Sequence, residues 1–356
     1  MTATFLPGLD LSAAFYREVI GPLLAGRPHA AALLGYGSDV LGYDTARSTD
    51  HGWGPRLQVF VPESSTTEDD IAAISRLIDQ GLPASFRGWP TRYGWDAVAV
   101  GHHVSVTTLG DWLISQLGFD PRASMTVTDW LVTPQQLLLE VTAGRVYADP
   151  NDRLAALRGA VGYFPRDVWL WLLACQWQRV NQEEPFVGRT AEAGDELGSR
   201  IVAGRQLREL MRLAFLLERT YWPYSKWFGT AFGRLRCAAQ LQPLLAEVTA
   251  STNHRSREAA LVLAYESVAR QHNSAAFTAY VEPTVRLFHD RPFRVLNSDR
   301  FVQACLAEVS DEWLRGLPLI GSVDQFVDST DVTSNARTVQ LLRQVYRPSA
   351  TGSMSR

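Results

Sequence analysis

Patterns typical of β-strands are confined to the first 150 residues of this 356-residue chain. Residues 56–61 carry apolar side chains at every second position, which predicts a strand with one face buried. Residues 30–34 and 97–109 are short apolar or β-branched runs and predict two more strands. From residue 151 to about 347 the apolar spacing is mostly helical. We therefore expect an α+β protein with a mixed N-terminal part and a helical C-terminal part.

The best candidate for a boundary between these parts is YADPND, residues 147–152, which combines Pro150 with acidic residues. We predict a mixed α/β domain over residues 1–149, a helical domain over 150–347 and a disordered tail over 348–356. Helices of the second domain are predicted over residues 168–177, 192–220, 231–248, 257–271, 301–314 and 336–345.

Charge and composition exclude several classes of protein. The 34 basic and 37 acidic residues give a net charge of −3, which provides no footprint for bulk nucleic-acid binding. An apolar content of 46% argues against a disordered chain. Three widely spaced cysteines argue against a disulfide framework and favour a reducing cytoplasm. The most apolar segment, residues 168–177, is shorter than the ~20 residues that span a bilayer. We expect a cytoplasmic protein without a membrane partner.

The most informative segment is LLGYGSDVLGYDTARSTDHGWGPRLQVFV, residues 33–61. A glycine-bearing turn after a strand lets the backbone approach a ligand closely, and Ser38 with free amides can hold phosphate oxygens. Asp50 lies shortly before the next predicted strand, where a carboxylate can hold a divalent cation against those phosphates. The alternative is an ordinary turn that happens to be rich in glycine.

The string G-S-D-x-L-G-x-D followed by S-T-D-H-G-W-G-P resembles an uncharacterised bacterial family of nucleotidyltransferase-like proteins, a domain of unknown function. Its superfamily also includes the aminoglycoside and lincosamide nucleotidyltransferases. The later strings FVGRTAEAGDELGSR and YWPYSKWFG are similar to the same family, so that the resemblance extends roughly over residues 5–345.

The resemblance implies a small nucleotidyltransferase-like mixed sheet with flanking helices, followed by a helical domain. It also implies magnesium-dependent transfer of a nucleoside monophosphate from a nucleoside triphosphate to a small-molecule or protein acceptor. Carried over to this chain, Gly37 and Ser38 contact the triphosphate. Asp50 is then a metal ligand and a catalytic residue, and we assign Asp44 of the same loop to the nucleotide site.

Two positions depart from the superfamily pattern. The second carboxylate is expected two residues after the first, where this chain has Gly52, and the best match for the third is Ser105. Four other carboxylates are candidates to complete a rearranged site: Asp39, Asp44, Asp96 and Asp111. Two functions therefore stay open: the transfer reaction, and a catalytically degenerate regulatory protein that binds a nucleotide or another phosphate ligand.

Four charged residues in the helical part have spacings of three, four and four: Arg189, Glu192, Glu196 and Arg200. On one helix they would share a face. Either this is a solvated face with intrahelical ion pairs, or Arg189 and Arg200 bind phosphate of the nucleotide.

Lys226 is the single lysine among the 34 basic residues and lies within YWPYSKWF. We expect Pro223 to break the long helix over residues 192–220 and to form a rigid aromatic turn. A lysine held there would be desolvated and could act in catalysis at the triphosphate. The alternative is an exposed lysine at an aromatic-packed helix junction.

Overall fold

The computed structural model describes residues 4–96 and 98–346 of the chain. The predicted tail and the first residue of the strand predicted over 97–109 lie outside the described residues. The chain forms two compact units, one of Met1–Met125 with Gln136–Gly162 and one of Thr126–Gln135 with Tyr163–Arg356. The boundary predicted after residue 149 falls within the first unit.

The first unit contains a five-stranded mixed sheet with the strand order β5-β6-β2-β1-β7. Strands β2 and β6 are parallel, and the other neighbours in this sheet are antiparallel. The strands are β1 (Ala30–Leu33), β2 (Arg56–Val61), β3 (Ser85–Phe86), β4 (Trp89–Pro90), β5 (Arg92–Trp95), β6 (Val98–Thr108), β7 (Arg145–Ala148), β8 (Arg286–Leu287) and β9 (Arg294–Val295). The predicted α+β class, with a mixed sheet before a helical region, is confirmed.

The helices fall mostly after the sheet. They are α1 (Gly8–Phe15), α2 (Gly21–Leu23), α3 (Glu68–Gly81), α4 (Leu109–Leu117), α5 (Val127–Val132), α6 (Gln135–Thr142), α7 (Arg153–Ala160), α8 (Arg166–Glu183), α9 (Phe186–Glu192), α10 (Glu196–Leu217), α11 (Ser225–Phe232), α12 (Ala238–Ala250), α13 (His254–Ser274), α14 (Asp299–Ala307), α15 (Glu312–Arg315), α16 (Val323–Phe326), α17 (Thr330–Thr333) and α18 (Ala336–Leu341). A π-helical turn (Tyr16–Ile20) joins α1 to α2, and 3₁₀ turns cover Ala46–Asp50 and Leu342–Val345.

One face of the sheet forms the core of the first unit. Leu57 and Val59 of β2 and Val104 of β6 share a buried apolar cluster with Phe15 of α1 and Ile78 of α3. Side chains alternate along a strand, so the residues between these apolar positions face the other side of the sheet. Burying one face in this way fixes the register of the strands.

The opposite face of the central strands carries polar residues at the start of β2 and the apolar Phe60 further along it. Arg56 and Gln58 of β2 lie on it, and the parallel register places them beside His103 and Ser105 of β6. In a strand with one buried face, polar residues at alternate positions normally face water. Arg56 instead is only 6% exposed, so another part of the chain must cover this end of the face.

The second unit is built around α8. All the residues of this helix from Val168 to Trp177 are buried, because α10 and α14 pack against it. Helices α9, α12 and α13 complete the bundle around α10. A helix that is apolar on all sides must lie in the centre of a core. The predicted buried helix over residues 168–177 is confirmed. Among the described residues, no helix combines the length and apolarity that crossing a membrane requires.

The single helix predicted over residues 192–220 is wrong. Helix α9 ends at Glu192, and Gly194 then adopts a left-handed φ of +76°. Asp195 caps α10, its carboxylate accepting a hydrogen bond from the backbone N–H of Gly198 (2.8 Å). Helix α10 ends at Leu217, well before Pro223, so the proline does not break it.

The predictions over residues 231–248 and 301–314 each merged two helices. Helix α11 ends at Phe232 and α12 begins only at Ala238. Helix α14 ends at Ala307, and α15 starts after Asp311, whose carboxylate accepts the backbone N–H of Leu314 (3.0 Å). Short capped interruptions leave the apolar spacing almost unchanged, which is why periodicity alone did not separate these helices.

Asp324 of α16 is a buried carboxyl of the second unit. Its Oδ2 accepts a hydrogen bond from the backbone N–H of Gln135 (2.9 Å). Burial raises the pKa of Asp324 to about 6, although this hydrogen bond and the charge of Arg212 act in the opposite direction. In the unfolded chain the same group ionises near 3.8. Between these two values the folded chain keeps a proton that the unfolded chain releases.

The contribution of Asp324 to stability is therefore present at low pH and is lost as the pH rises through 6. We expect Asp324→Asn, which cannot ionise, to remove about 2 kcal/mol of the fall in unfolding free energy between pH 4 and pH 7. Denaturant unfolding at a series of pH values measures this. The exposed Asp328→Asn is the matched control. Identical pH profiles for wild type and Asp324→Asn would contradict the assignment.

Candidate functional site

A tight turn follows β1, where the sequence predicted a ligand loop. Residues 35–42 form this turn, named turn 35–42 below. The Gly35 N–H donates to the carbonyl of Glu140 (2.8 Å), and the Gly144 N–H donates to the carbonyl of Val40 (3.0 Å). The turn is thus anchored at both ends to the segment that leads into β7.

Turn 35–42 contains backbone donors at two half-buried residues, Gly37 and Ser38, and at two buried ones, Asp39 and Val40. In the part of the chain that the structure describes, no protein acceptor faces the four successive amide N–H groups of residues 37–40 or the hydroxyl of Ser38. The carbonyl groups of the turn are occupied, as shown by Ser38 O, which accepts the Tyr43 N–H (2.7 Å). Consecutive unpaired N–H groups in a turn form a concavity that binds anions.

A buried ion pair supports the turn from below. The guanidinium of Arg56 donates from Nε to Asp39 Oδ2 (3.0 Å) and from Nη2 to Asp39 Oδ1 (2.7 Å). The same Nη2 donates to the carbonyl of Tyr36 (2.7 Å). Gly37 has a φ of +132°, and a Cβ at this position would overlap both partners of the ion pair. Glycine is therefore required at 37 by the close approach of the Arg56–Asp39 pair.

Arg56 stays charged in this setting. Burial alone would lower its pKa, but the charge and hydrogen bonds of Asp39 outweigh burial and raise it. Both side chains are less than one-tenth exposed, so each charge depends on the other. The pair also leaves turn 35–42 without net charge from Asp39. Asp39 is therefore committed to Arg56 and is not a spare carboxylate.

Two further predicted carboxylates already have structural partners. Asp44 Oδ2 accepts hydrogen bonds from the backbone N–H of Gly8 (2.7 Å) and from Nε1 of Trp53 (2.9 Å). Asp111 Oδ2 accepts from the hydroxyl of Thr108 (2.6 Å), which caps α4. Both carboxylates hold local structure. The assignment of Asp44 to a nucleotide site stays a prediction.

Asp50 is exposed at the last residue of its 3₁₀ turn. The next residue, His51, places its Nδ1 3.1 Å from Oδ2 of Asp96, and both of these side chains are more than half exposed. An exposed pair of this kind adds little to stability. Asp96 therefore contacts His51 at the surface of the first unit, and Asp50 is exposed at the preceding position of the chain.

The position where the superfamily pattern expects a second carboxylate has a backbone conformation that favours glycine and lies beside an aromatic ring. Gly52 has a left-handed φ of +59°, and a Cβ there would lie 3.4 Å from Cε2 of Trp95. Ser105, at the expected third position, is exposed beside Gln58. The side-chain amide of Gln58 is bound to the backbone N–H and carbonyl of Leu34 (2.9 and 3.2 Å).

The described residues form no metal site built from protein ligands alone. A divalent magnesium or calcium site needs several oxygen ligands close together. Among residues 4–96 and 98–346, no three His, Cys, Asp or Glu side chains lie close enough to hold a metal ion. The carboxylates near turn 35–42 are engaged or dispersed as described above. Magnesium dependence, with Asp50 as metal ligand, stays a prediction.

The charged residues predicted on one helix face lie on two helices. Arg189 of α9 is exposed, and its guanidinium lies over the ring of Phe186 (5.6 Å). Arg200 of α10 donates to Glu196 Oε1 (3.0 Å) and to the carbonyl of Thr252 (2.9 Å). The ion pair of Arg200 agrees with a solvated face. A phosphate role for Arg189 and Arg200 stays a prediction.

The motif around these arginines builds the junction of α9 and α10. A Cβ at Gly188 would overlap the ring of Phe293, so only glycine fits there. Ser199 Oγ donates to the carbonyl of Val187 (2.9 Å) and accepts from Arg257 (2.7 Å), which is itself buried and also binds Glu196. These contacts give the motif a structural role.

Lys226 is exposed, which corrects the expectation of a desolvated lysine. It lies in the first turn of α11, with Nζ 5.1 Å from the ring centroid of Trp227. The nearby aromatic residues Tyr221 and Trp222 are buried and pack away from it. Aromatic residues close in sequence did not predict burial of the lysine. Its catalytic role stays a prediction.

Arg56 is a functional candidate that the sequence did not single out. Arg56 is the first residue of β2. The apolar residues at alternate positions of this strand were used to predict its buried face, and the polar residues between them were not considered. The available signal was the pairing of Arg56 with Gln58 at alternate positions of RLQVFV. Two long polar side chains on one face of a central strand indicate that something polar covers that face.

The chain is similar to known proteins either over part of its length or only weakly. The family described as "Domain of unknown function (DUF4037)" matches residues 130–228, which contain the α9–α10 junction and Lys226 but not turn 35–42. No protein of curated function matches the sequence.

A solved structure of a nucleotidyltransferase-like protein from Exiguobacterium sibiricum 255-15 is 14% identical and covers 86% of this chain and 91% of its own. The TM-score is 0.30, too low to carry an argument about fold or function.

Proposed function

We propose that the protein binds a nucleotide through a phosphate group at turn 35–42 and needs no divalent cation to do so. The observation that carries this proposal is the set of four free amide N–H groups at residues 37–40 beside the free hydroxyl of Ser38. Each such donor gains a charge-assisted hydrogen bond when a phosphate oxygen meets it. The activity that follows is binding, as expected of a regulatory protein.

The Arg56–Asp39 pair supports this proposal in two ways. It fixes the backbone of turn 35–42 through the bond to the Tyr36 carbonyl, so that the amides are held in place before the ligand arrives. It also neutralises the one carboxylate within the turn, which would otherwise repel phosphate.

Tyr36 suggests that the ligand carries a nucleobase. Its ring is 56% exposed at the start of the turn, and the guanidinium of Arg56 lies 5.2 Å from the ring centroid on the protein side. An exposed aromatic ring held beside a phosphate site offers a stacking surface to any base.

We expect Tyr36→Ala to weaken ATP binding about tenfold and to leave inorganic pyrophosphate binding within about twofold. Base stacking on an aromatic side chain contributes ~1–3 kcal/mol, and pyrophosphate has no base to stack. Titration calorimetry with both ligands measures the difference. Equal losses for ATP and pyrophosphate would contradict the stacking role.

A thermal-shift panel tests the proposed function. The panel contains the common nucleoside mono-, di- and triphosphates, each with EDTA and with magnesium. We expect stabilisation with EDTA present, and its loss in Ser38→Asp, whose carboxylate would repel phosphate. Ser65→Asp, on an exposed turn of the same unit, is the matched control. Stabilisation that appears only with magnesium would count against the proposal.

The transfer reaction that the family resemblance implies is the second candidate. The observation in its favour is the exposure of Asp50, which precedes His51 in the chain, and of Asp96, which contacts His51. Release of pyrophosphate from a triphosphate, lost in Asp50→Asn and in Lys226→Ala, would support transfer over simple binding.

A further inference from the structure

We propose that the second unit contains a separate phosphate-binding site formed by Gln135, Arg179 and Arg212. It does not depend on the proposed function, because turn 35–42 belongs to the first unit. The geometry that points to it is a buried polar cluster with more donors than acceptors.

Three arginines converge on one buried glutamate of α10. Glu209 is 1% exposed, and its Oε2 lies 3.1 Å from Arg179 Nε and 3.5 Å from Arg212 Nη1. Its Oε1 lies 3.7 Å from Arg208 Nε, a separation too long for a hydrogen bond. Gln176 Nε2 also donates to Glu209 Oε2 (2.6 Å). The Glu209 carboxylate thus lies close to three guanidinium groups.

Gln135 joins this cluster through shared neighbours. Its side-chain oxygen accepts the backbone N–H of Trp222 (3.2 Å), and the Arg212 guanidinium lies 5.6 Å from the centroid of the Trp222 ring. Its backbone N–H donates to Asp324, the buried carboxyl whose charge Arg212 also feels. Gln135 and Arg212 therefore both contact Trp222, and both interact with Asp324.

Several donors of this cluster lack an acceptor. Among the described residues, Nε2 of Gln135, Nε of Arg208 and Nε of Arg212 are buried without a hydrogen-bond partner, as is one acceptor, Oε1 of Glu209, so that unpaired donors outnumber unpaired acceptors. Gln135 is fully buried and Arg212 is 8% exposed. Buried donors are nearly always paired in folded proteins, so unpaired donors grouped together indicate a missing acceptor. An oxyanion supplies acceptors for all of them.

The chemistry favours a phosphate group. Arginine forks match the oxygens of phosphate, and the three arginines outnumber the two carboxylates near them, Glu209 and Asp324. Glu209 itself stays ionised: burial would raise its pKa, but Arg212 and Arg179 outweigh burial and lower it. The Arg208 side chain is 41% exposed, so the cluster reaches solvent on that side. The phosphate is either free or part of an organic phosphoester.

Titration calorimetry of the full-length protein in a phosphate-free chloride buffer tests this site. The probes are inorganic phosphate, pyrophosphate and AMP, and the variants are Arg179→Gln and Arg212→Lys. Arg212→Lys keeps a charge for Glu209 but removes the fork. Arg205→Gln, on the exposed side of α10 and paired with Glu183, is the matched control. Ser38→Asp removes the site of the first unit.

We expect wild type, Arg205→Gln and Ser38→Asp to bind inorganic phosphate alike, and Arg179→Gln and Arg212→Lys to bind at least tenfold more weakly. If AMP alone shows this pattern, the ligand is a phosphoester, and the site stands. Loss of binding in Ser38→Asp with full binding in Arg179→Gln would overturn the site and leave turn 35–42 as the binder. Equal weakening in Arg205→Gln, or no binding of any probe, would also overturn it.

Discussion

Replacing Arg56 by methionine is expected to lower the unfolding free energy by about 3–5 kcal/mol and to abolish nucleotide binding. The substitution keeps an unbranched side chain but leaves the Asp39 carboxylate buried without its partner, and removal of one member of a buried ion pair has a cost of this size. It also frees the Tyr36 carbonyl and so releases turn 35–42. Denaturant unfolding and ATP titration measure the two effects.

Two further variants distinguish the effect of the buried ion pair on stability from the effect of removing a surface charge. Arg92→Met removes an exposed arginine that pairs with Asp79, and we expect it to change the unfolding free energy by no more than about 1 kcal/mol. The double variant Asp39→Leu with Arg56→Met removes both charges and should recover much of the loss of the single variant. A cost for Arg56→Met as small as that of Arg92→Met would contradict the buried pair.

The second large effect is expected for Gly144→Val, which should cost about 4 kcal/mol or more. Gly144 has a φ of +74°, a conformation that a β-branched residue strongly disfavours. A Cβ would overlap the carbonyl oxygen of Leu33 and lie 3.3 Å from Cγ1 of Val40. Since backbone cannot yield as a flexible side chain does, the end of β1 and turn 35–42 must move.

The matched control for Gly144→Val is Gly159→Val in α7. A Cβ at Gly159 meets nothing within 4 Å, and valine and glycine are both weak helix formers. We expect a change of about 0.5 kcal/mol or less at this position, measured by the same denaturant unfolding. Similar costs at both positions would show that Gly144 is not needed for close packing.

Elements that depend on apolar patterning could be predicted from the sequence. The alternation over residues 56–61 predicted β2, and the apolar run over residues 168–177 predicted the buried part of α8. The loop after β1 was located by its glycines, because Gly37 must accommodate the Arg56–Asp39 pair. These features follow from the spacing of apolar residues and from glycine positions, both of which are local properties of the sequence.

Features that depend on partners distant in sequence could not be predicted. Arg56 and Asp39 are both ordinary charged residues in the sequence, and only the fold brings them into a buried pair 17 residues apart. The merging of α9 and α10 into one predicted helix has the same origin, since Asp195 and Gly194 stop the helix without disturbing its apolar spacing. Lys226 was expected in a desolvated turn, but only Tyr221 and Trp222 of this segment are buried, and the lysine itself is exposed.

The cluster around Glu209 was missed for a related reason. Its arginines lie on helices that were predicted from their apolar residues. Its glutamines are uncharged, and no motif in the sequence includes them. Gln135 and Gln176 become informative only when they are seen to be fully buried. A buried glutamine needs several hydrogen bonds, so its neighbours define what the site can hold.

Titration of ATP into metal-free protein in the presence of EDTA tests the central claim most directly. We predict saturable binding to wild type, with an affinity that changes less than about threefold when magnesium replaces EDTA. We further predict that Ser38→Asp weakens this binding at least tenfold, while Ser65→Asp does not. No binding in EDTA together with tight binding in magnesium, or full binding by Ser38→Asp, would contradict metal-independent binding of a phosphate at turn 35–42.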